Sequence, residues 1–200
     1  RAASKLGIPI ILFLPDVMPG WAVKFITKDA SLILCSNRKS LDYFDSTKSI
    51  ETGYPVRSIF QRKFNGERKS IQKTAKKLLD LNNTYPTVLI AGGSTGSRTI
   101  NDQIIGILPE VLNVANVIHV TGKNDYSRVV KETQVLVKER SKKYIVFGYS
   151  EKMEELMAAA DLGIFRGGAS VIGEASIASL PSIVIPGSFS DQSANAEVLR

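Results

Sequence analysis

Two glycine-rich segments combine residue types that suit a phosphate with the position a phosphate needs. The first is Ala91-Gly92-Gly93-Ser94-Thr95-Gly96-Ser97-Arg98, which follows an apolar strand pattern and precedes a helical one. Glycines let the backbone turn tightly and approach a ligand closely. A helix starting at such a turn offers unpaired N–H groups and the positive end of its dipole to an anion. The spacing is not the G-x-G-x-x-G dinucleotide fingerprint, and no Gly-Lys-Ser/Thr follows to make a P-loop. Alone, the segment fits either a phosphate cradle or a structural turn. The second is Arg166-Gly167-Gly168-Ala169-Ser170-Val171-Ile172-Gly173-Glu174, with the same order of strand, small residues and helix. Glu174 lies about one and a half turns into that helix, where a carboxylate can accept from both hydroxyls of a ribose. An ordinary surface glutamate is the alternative. Two such turns after strands of one sheet strengthen the functional reading, because open α/β sheets bind ligands beyond the carboxyl ends of their strands.

A third segment, Asp191-Gln192-Ser193-Ala194-Asn195, follows the last apolar strand pattern. Gln192 and Asn195 are three apart and share a helix face. Their amides suit neutral hydroxyls or an acetamido group, or simply a polar helix start. His119, the single histidine, sits in Val117-Ile118-His119-Val120 and reads as a strand-end residue. Cys35 is the single cysteine, inside the apolar run Leu32-Ile33-Leu34-Cys35. A lone buried cysteine argues against a disulfide framework and favours a reducing compartment. No carboxylates cluster with metal-ligand spacing, so no metal and no cofactor is expected.

The elements that must hold these residues alternate along the chain. Apolar strand patterns occupy 8–14, 31–35, 86–91, 116–121, 143–147, 161–165 and 182–186, the run Ile8 to Leu14 reading as a buried strand. Helical patterns occupy 19–29, 37–44, 67–81, 98–113, 123–140, 151–160, 169–178 and 191–200. This alternation indicates an α/β fold of parallel βαβ units with right-handed crossovers. Strands such as Val88-Leu89-Ile90 and Ser182-Ile183-Val184-Ile185 are apolar on both faces, as a parallel sheet covered by helices requires. The segment 45–66 is looser, with Gly53, Pro55 and Gly66, and suits a domain junction. Ala2 to Leu6 with Gly7 reads as a helix end, and the chain stops inside a helical pattern, so a fragment is expected.

The 200 residues are 44% hydrophobic and 22% charged, the balance of an ordinary globular protein. No apolar run approaches the roughly 18–20 residues of a membrane helix. The formal charge of +7 favours anionic partners. Much of it falls between Arg62 and Lys77, where Ile71, Ala75, Leu78 and Leu79 share one helical face and Lys69, Lys73, Lys76 and Lys77 lie elsewhere. That pattern suits a solvated amphipathic helix or one lying at an anionic membrane surface.

Taken together, several motifs resemble the MurG family: Gly53-Tyr54-Pro55-Val56-Arg57, Gly92 to Arg98 with Asn101, Ala160-Asp161 through Glu174, and Asp191-Gln192-x-x-Asn195-Ala196. Their order and spacing follow that family over essentially the whole chain. The resemblance implies a GT-B fold of two Rossmann-like domains with parallel sheets. Residues 1–52 would end the acceptor domain and 53–200 would form most of the donor domain. It implies an inverting transfer of N-acetylglucosamine from UDP-N-acetylglucosamine to the muramyl C4 hydroxyl of lipid I, the undecaprenyl-linked muramyl-pentapeptide. The product is lipid II of peptidoglycan synthesis. The protein would lie at the cytoplasmic face of the plasma membrane, held peripherally to its anionic surface, with no nucleic-acid partner.

Carried over residue by residue, Arg57 and Ser94 would face the donor diphosphate, and Gly168, Ala169, Ser170 and Val171 would offer it backbone N–H groups. Glu174 would hold the ribose. Tyr149 and Ser150 would line the uracil pocket. Gln192, with Asn195 on its face, would meet the sugar. Asp16 stands where the family usually has Asn, Tyr54 where it has Asn, and Val171 where Thr is common. The family's candidate general base belongs upstream of Arg1, so no catalytic residue is identified and the piece alone is expected to be inactive. A related GT-B enzyme with a diacylglycerol-type acceptor, or a non-catalytic nucleotide-sugar-binding module, would share the donor motifs. The missing glycine fingerprint disfavours a nicotinamide oxidoreductase.

Overall fold

The computed structural model describes residues 2–137, 143–187 and 192–199. The chain divides into two compact units. The first joins Arg1–Val56, Gly167–Gly173 and Pro186–Arg200; the second joins Arg57–Arg166 and Glu174–Ile185.

In the first unit, β1 (Ile11–Leu14), β2 (Leu32–Cys35) and β3 (Ser49–Glu51) form a parallel sheet in that order. A short helix α1 (Ala2–Lys5) precedes it, and α2 (Trp21–Ile26) runs into a 3-10 turn, Thr27–Asp29. The core is small: Ala30, Ile33 and Cys35, with Leu12, Leu41 and Phe44 against them. Burial pushes the Cys35 thiol up, with the Glu51 charge adding to it. The run 8–14 was expected to be a buried strand. Instead Ile8, Ile11 and Phe13 are exposed and only Leu14 is buried. β1 is an edge strand, and its alternate residues point away from the small core. The expected helix at 37–44 is a 3-10 segment, Arg38–Tyr43, started by Asn37, whose side chain accepts from the Lys39 N–H.

In the second unit, five strands run parallel: β4 (Thr87–Ala91), β5 (Asn116–Val120), β6 (Tyr144–Phe147), β7 (Leu162–Arg166) and β8 (Ser182–Ile185). Their order is β6-β5-β4-β7-β8. This is the doubly wound arrangement, and its order reverses between β4 and β7. The unit's helices are α3 (Ser58–Lys63), α4 (Arg68–Leu78), α5 (Arg98–Val114), α6 (Tyr126–Thr133) and α7 (Met153–Ala159). The chain passes between the units within α8 (Ala169–Ile177), and α9 (Gln192–Ala196) lies in the first.

Helix α5 shows why these residues form this layer. Ile100, Ile104, Leu108 and Leu112 recur every fourth residue and pack with Ile90, Val117 and Tyr144. Full burial of each such side chain contributes about 1.5–3 kcal/mol. The helix ends where Ala115 turns extended into β5.

The junction expected at 45–66 holds β3 and α3. On α4 the apolar face is narrower than expected. Ala75 is buried but Leu78 is 69% exposed. Lys76 is buried instead, because its Nζ reaches Asp161 Oδ2 at 2.9 Å. Burial raises the Asp161 carboxyl, but hydrogen bonds from Lys76, Gln72 and the Thr87 N–H outweigh it and hold it below its usual range. β8 was expected to be covered on both faces, yet Ile183 and Ile185 are exposed on this edge strand. The helix expected at 123–140 is α6, shorter at both ends, and positions 138–140 lie outside the described residues. Asp191 and Arg200, within the helix expected at 191–200, also lie outside them.

Candidate functional site

The glycine turn after β4 is held from below by a polar network. Ser97 starts α5 as its N-cap, accepting from the Ile100 N–H. Gly96 has a positive φ, 80°. A Cβ there would collide with the Thr121 carbonyl and come 2.9 Å from the Gly122 Cα. The loops after β4 and β5 therefore touch backbone to backbone, and only glycine fits.

One turn into α5, buried Asn101 donates to the Thr121 carbonyl at 3.0 Å and to Asp125 Oδ2 at 2.7 Å. These two donor contacts fix the amide orientation, so Asn101 Oδ1 accepts from His119 Nε2 at 3.0 Å. His119 Nδ1 then accepts from the Tyr144 hydroxyl at 3.1 Å. Burial drives the His119 pKa down to about 4, against a smaller upward pull from Asp125. The ring is neutral, fully buried and structural. Burial likewise pushes the Tyr144 phenol up to about 12. Arg128 closes the network on Asp125, Asp102 and Glu132, and its hydrogen bonds hold the Asp125 carboxyl down at about 2. Ser94 sits at the exposed tip of the supported turn.

Also in the second unit, Arg57 lies just before α3, half-exposed, with its guanidinium over the Phe60 ring at 5.3 Å. Its Nη1 donates to the Glu151 carbonyl at 3.4 Å. Its Nη2 stands 3.6 Å from Glu174 Oε1 and 3.8 Å from Glu154 Oε2. Burial raises the Glu174 carboxyl above its ordinary range; Arg57 pulls it down and Glu154 pushes it up. Beyond β6, Ser150 accepts through Oγ from the Lys152 N–H at 3.2 Å. Exposed Tyr149 carries Lys123 Nζ 4.9 Å from its ring centre. Both border a cavity of about 500 Å³ with Phe147, Leu156, Leu78 and Leu79.

In the first unit, Gly167 and Gly168 lead into α8, which Ala169, Ser170 and Val171 begin. A Cβ at Gly167 would sit 2.6 Å from the Gln192 carbonyl oxygen, whereas one at Gly168 would meet nothing within 4 Å. Gly167 thus serves close packing, and Gly168 borders open space. Gln192 Oε1 accepts from the Gly187 N–H at 2.8 Å. Asn195 is buried and bonded throughout: Nδ2 donates to Asp16 Oδ1 at 2.7 Å and to the Gly167 carbonyl at 2.9 Å, and Oδ1 accepts from the Val17 N–H at 2.8 Å. The Asn195 amide is thus engaged within the first unit on both its oxygen and its nitrogen. Asn195 anchors Asp16 and the phosphate-suited turn from behind.

Sequence reasoning passed over Glu154 and Gly122. Gly122 follows an apolar strand, which is a readable signal. Glu154 looks like any helical glutamate.

Residues 87–200 match the glycosyltransferase family 28 C-terminal domain. Several curated relatives carry the name UDP-N-acetylglucosamine--N-acetylmuramyl-(pentapeptide) pyrophosphoryl-undecaprenol N-acetylglucosamine transferase. That of Roseiflexus sp. is 30% identical over 232 residues, covering 99% of this chain and 51% of its own. That of Thermodesulfovibrio yellowstonii is 33% identical over 204 residues, covering 99% and 53%. The chain thus spans about half the length of the curated relatives it matches. Among solved structures, MurG of Acinetobacter baumannii superposes with a TM-score of 0.67 at 22% identity, covering 98% of this chain and 52% of that one. Anabaena Alr3699/HepE in complex with UDP gives 0.57 at 16% identity, covering 99% and 63%. These likenesses show the fold: α/β with parallel, Rossmann-like sheets, of the GT-B type.

Proposed function

The chain belongs to glycosyltransferase family 28, and from that premise we propose that it is the nucleotide-sugar-binding part of an enzyme that transfers N-acetylglucosamine from UDP-N-acetylglucosamine to lipid I. The observation that carries this reading is the doubly wound sheet whose order reverses between β4 and β7, the two strands that the glycine turns follow. The names of the curated relatives supply the donor and acceptor chemistry. Residues 1–52 are the end of an acceptor domain and 53–200 most of a donor domain.

In this reading the Gly92–Ser97 turn of the second unit and the start of α8 in the first are each suited to a phosphate. Ser94 and Ser170 are both exposed, and Gly168 leaves room for a close backbone approach. Arg57, beside Glu174, faces the phosphates, and Glu174 accepts from the ribose. Ser150 and Tyr149 flank the base. Gln192 donates through Nε2 to a sugar hydroxyl, since its Oε1 holds Gly187. Asp16, fixed by Asn195, offers a second acceptor to the sugar. As the C1–O bond to UDP breaks, charge grows on the leaving diphosphate. Arginine and helix N–H groups oriented beforehand stabilise that charge. The acceptor hydroxyl attacks the opposite face of the anomeric carbon, which inverts it. Its general base belongs to the half of the relatives' length that this chain does not span.

Trp21 is 84% exposed and stacks on Phe25 at 6.3 Å, and Lys24 and Lys28 are near them in the sequence. Aromatic rings settle at lipid headgroup level, and lysines favour anionic lipid. This patch supports a peripheral place on an anionic membrane surface, which in this reading is the cytoplasmic face. Transfer assays with the full-length protein, UDP-N-acetylglucosamine and a lipid I analogue test the reading. Lipid II formation is expected. Transfer only to a diacylglycerol acceptor, or only from another nucleotide sugar, would overturn it.

A further inference from the structure

One carboxylate in the second unit is more costly than packing explains. Glu154 is 7% exposed, and its Oε2 has no hydrogen-bond partner among the described residues. It lies in the first turn of α7, where a helix dipole favours negative charge without supplying a bond to that oxygen. Its ion partner is Arg57, whose Nη2 stands 3.8 Å away and is shared with Glu174 at 3.6 Å. Both separations exceed hydrogen-bond length. One guanidinium is thus shared between two carboxylates, and Glu154 Oε2 is left without a hydrogen bond. Buried, unsatisfied polar groups are rare because water is lost without replacement. A group kept in that state is poised to accept from something outside the chain.

What fits between two carboxylates is a ligand with two adjacent hydroxyl donors. A carboxylate accepts but cannot donate, and a vicinal diol offers one O–H to each. We propose that Glu154 is the second carboxylate of the ribose subsite, accepting from one hydroxyl of the nucleoside diol while Glu174 accepts from the other. The inference rests on the donor reading above and adds Glu154 as a specificity-determining residue. When the diol binds, Arg57 remains close enough to balance one charge, and the hydroxyls satisfy both oxygens.

The test is calorimetric titration of the chain with UDP, 2′-deoxy-UDP and 3′-deoxy-UDP, in the original protein and in Glu154→Ala and Glu154→Gln. A hydroxyl bonded to a charged acceptor sets an expected preference for UDP over each deoxy analogue of about 10- to 150-fold. In Glu154→Ala the preference against one analogue should collapse to about 2-fold, while the preference against the other, read by Glu174, persists. Glu154→Gln keeps shape and one acceptor but no charge, so the same preference should fall to about 2- to 10-fold. A structural role would weaken all three ligands alike, and that result overturns the inference, as does survival of both preferences in both variants. If Glu154→Ala does not fold, the isosteric Glu154→Gln decides on the same ratio. Failure of the original protein to bind UDP would refute the donor reading itself. UDP binding in which the original protein keeps its preference against one deoxy analogue but shows none against the other would refute only the role of Glu154.

Discussion

The buried His119 makes stability depend on pH in a direction and size that can be worked out. Its pKa is about 4 in the folded chain and 6.5 in its ordinary state, because burial disfavours the imidazolium. The unfolded chain therefore takes a proton at a pH where the folded chain refuses it. Stability from the neutral ring is fully present above pH 6.5, falls as pH drops through the window and is lost by about pH 4. Within the window each pH unit costs up to about 1.4 kcal/mol. Between pH 7 and pH 5 the loss is about 2 kcal/mol. Protonation would also place a proton on Nδ1, where the Tyr144 hydroxyl now donates. His119→Gln removes the titration and keeps a donor toward Asn101. Urea unfolding of both proteins at the two pH values isolates the effect, since the other titrating groups are common to both and cancel in the difference. The original chain should lose about 2 kcal/mol more than the variant on going from pH 7 to pH 5. Equal losses would refute the neutral, buried histidine. At pH 7 the variant itself should be less stable by about 1–3 kcal/mol, the cost of unsatisfied buried partners.

Three further outcomes are expected. Glu174→Ala should weaken UDP binding by about 1.5–3 kcal/mol in calorimetry while leaving the unfolding transition in place, and unchanged affinity would remove Glu174 from the ribose. Asn195→Ala should destabilise the chain by about 2–5 kcal/mol, because the buried Val17 N–H, the Gly167 carbonyl and Asp16 all lose their partner. A denaturant midpoint like that of the original chain would contradict that account of Asn195. Donor binding should persist in excess chelator, since the sequence carries no ligand-spaced carboxylates; loss restored by magnesium or manganese would show a metal at work.

The architecture was legible because parallel strands covered by helices leave a strong signal. Long apolar runs such as Val88–Ile90 and the four-residue spacing of Ile100, Ile104, Leu108 and Leu112 need no tertiary information. β3 was not legible: Ser49-Ile50-Glu51 contains one apolar residue and forms only because β2 offers a free edge. α3 is short, and Phe60 is its single buried residue. On α4 the helical wheel placed Lys76 outside. Only the fold brings Asp161 beneath it, 85 positions along the chain. The candidate site divides the same way. Ser94, Gly168 and Glu174 stand at strand-to-helix turns, a local signal. Asn195 meets Asp16 from 179 positions away, and Glu154 meets Arg57 from across the second unit, so neither role can be read from spacing.

The central claim, that this chain holds the nucleotide-sugar site of its family, is tested most directly by titrating it calorimetrically with UDP-N-acetylglucosamine. The account predicts weak, saturable binding that UDP competes away and that Glu174→Ala diminishes, with no sugar transfer until the rest of the relatives' length is supplied. A folded chain that binds neither UDP-N-acetylglucosamine nor UDP would contradict it. Turnover by the chain alone would place the general base within these residues, with Asp16 the first to examine.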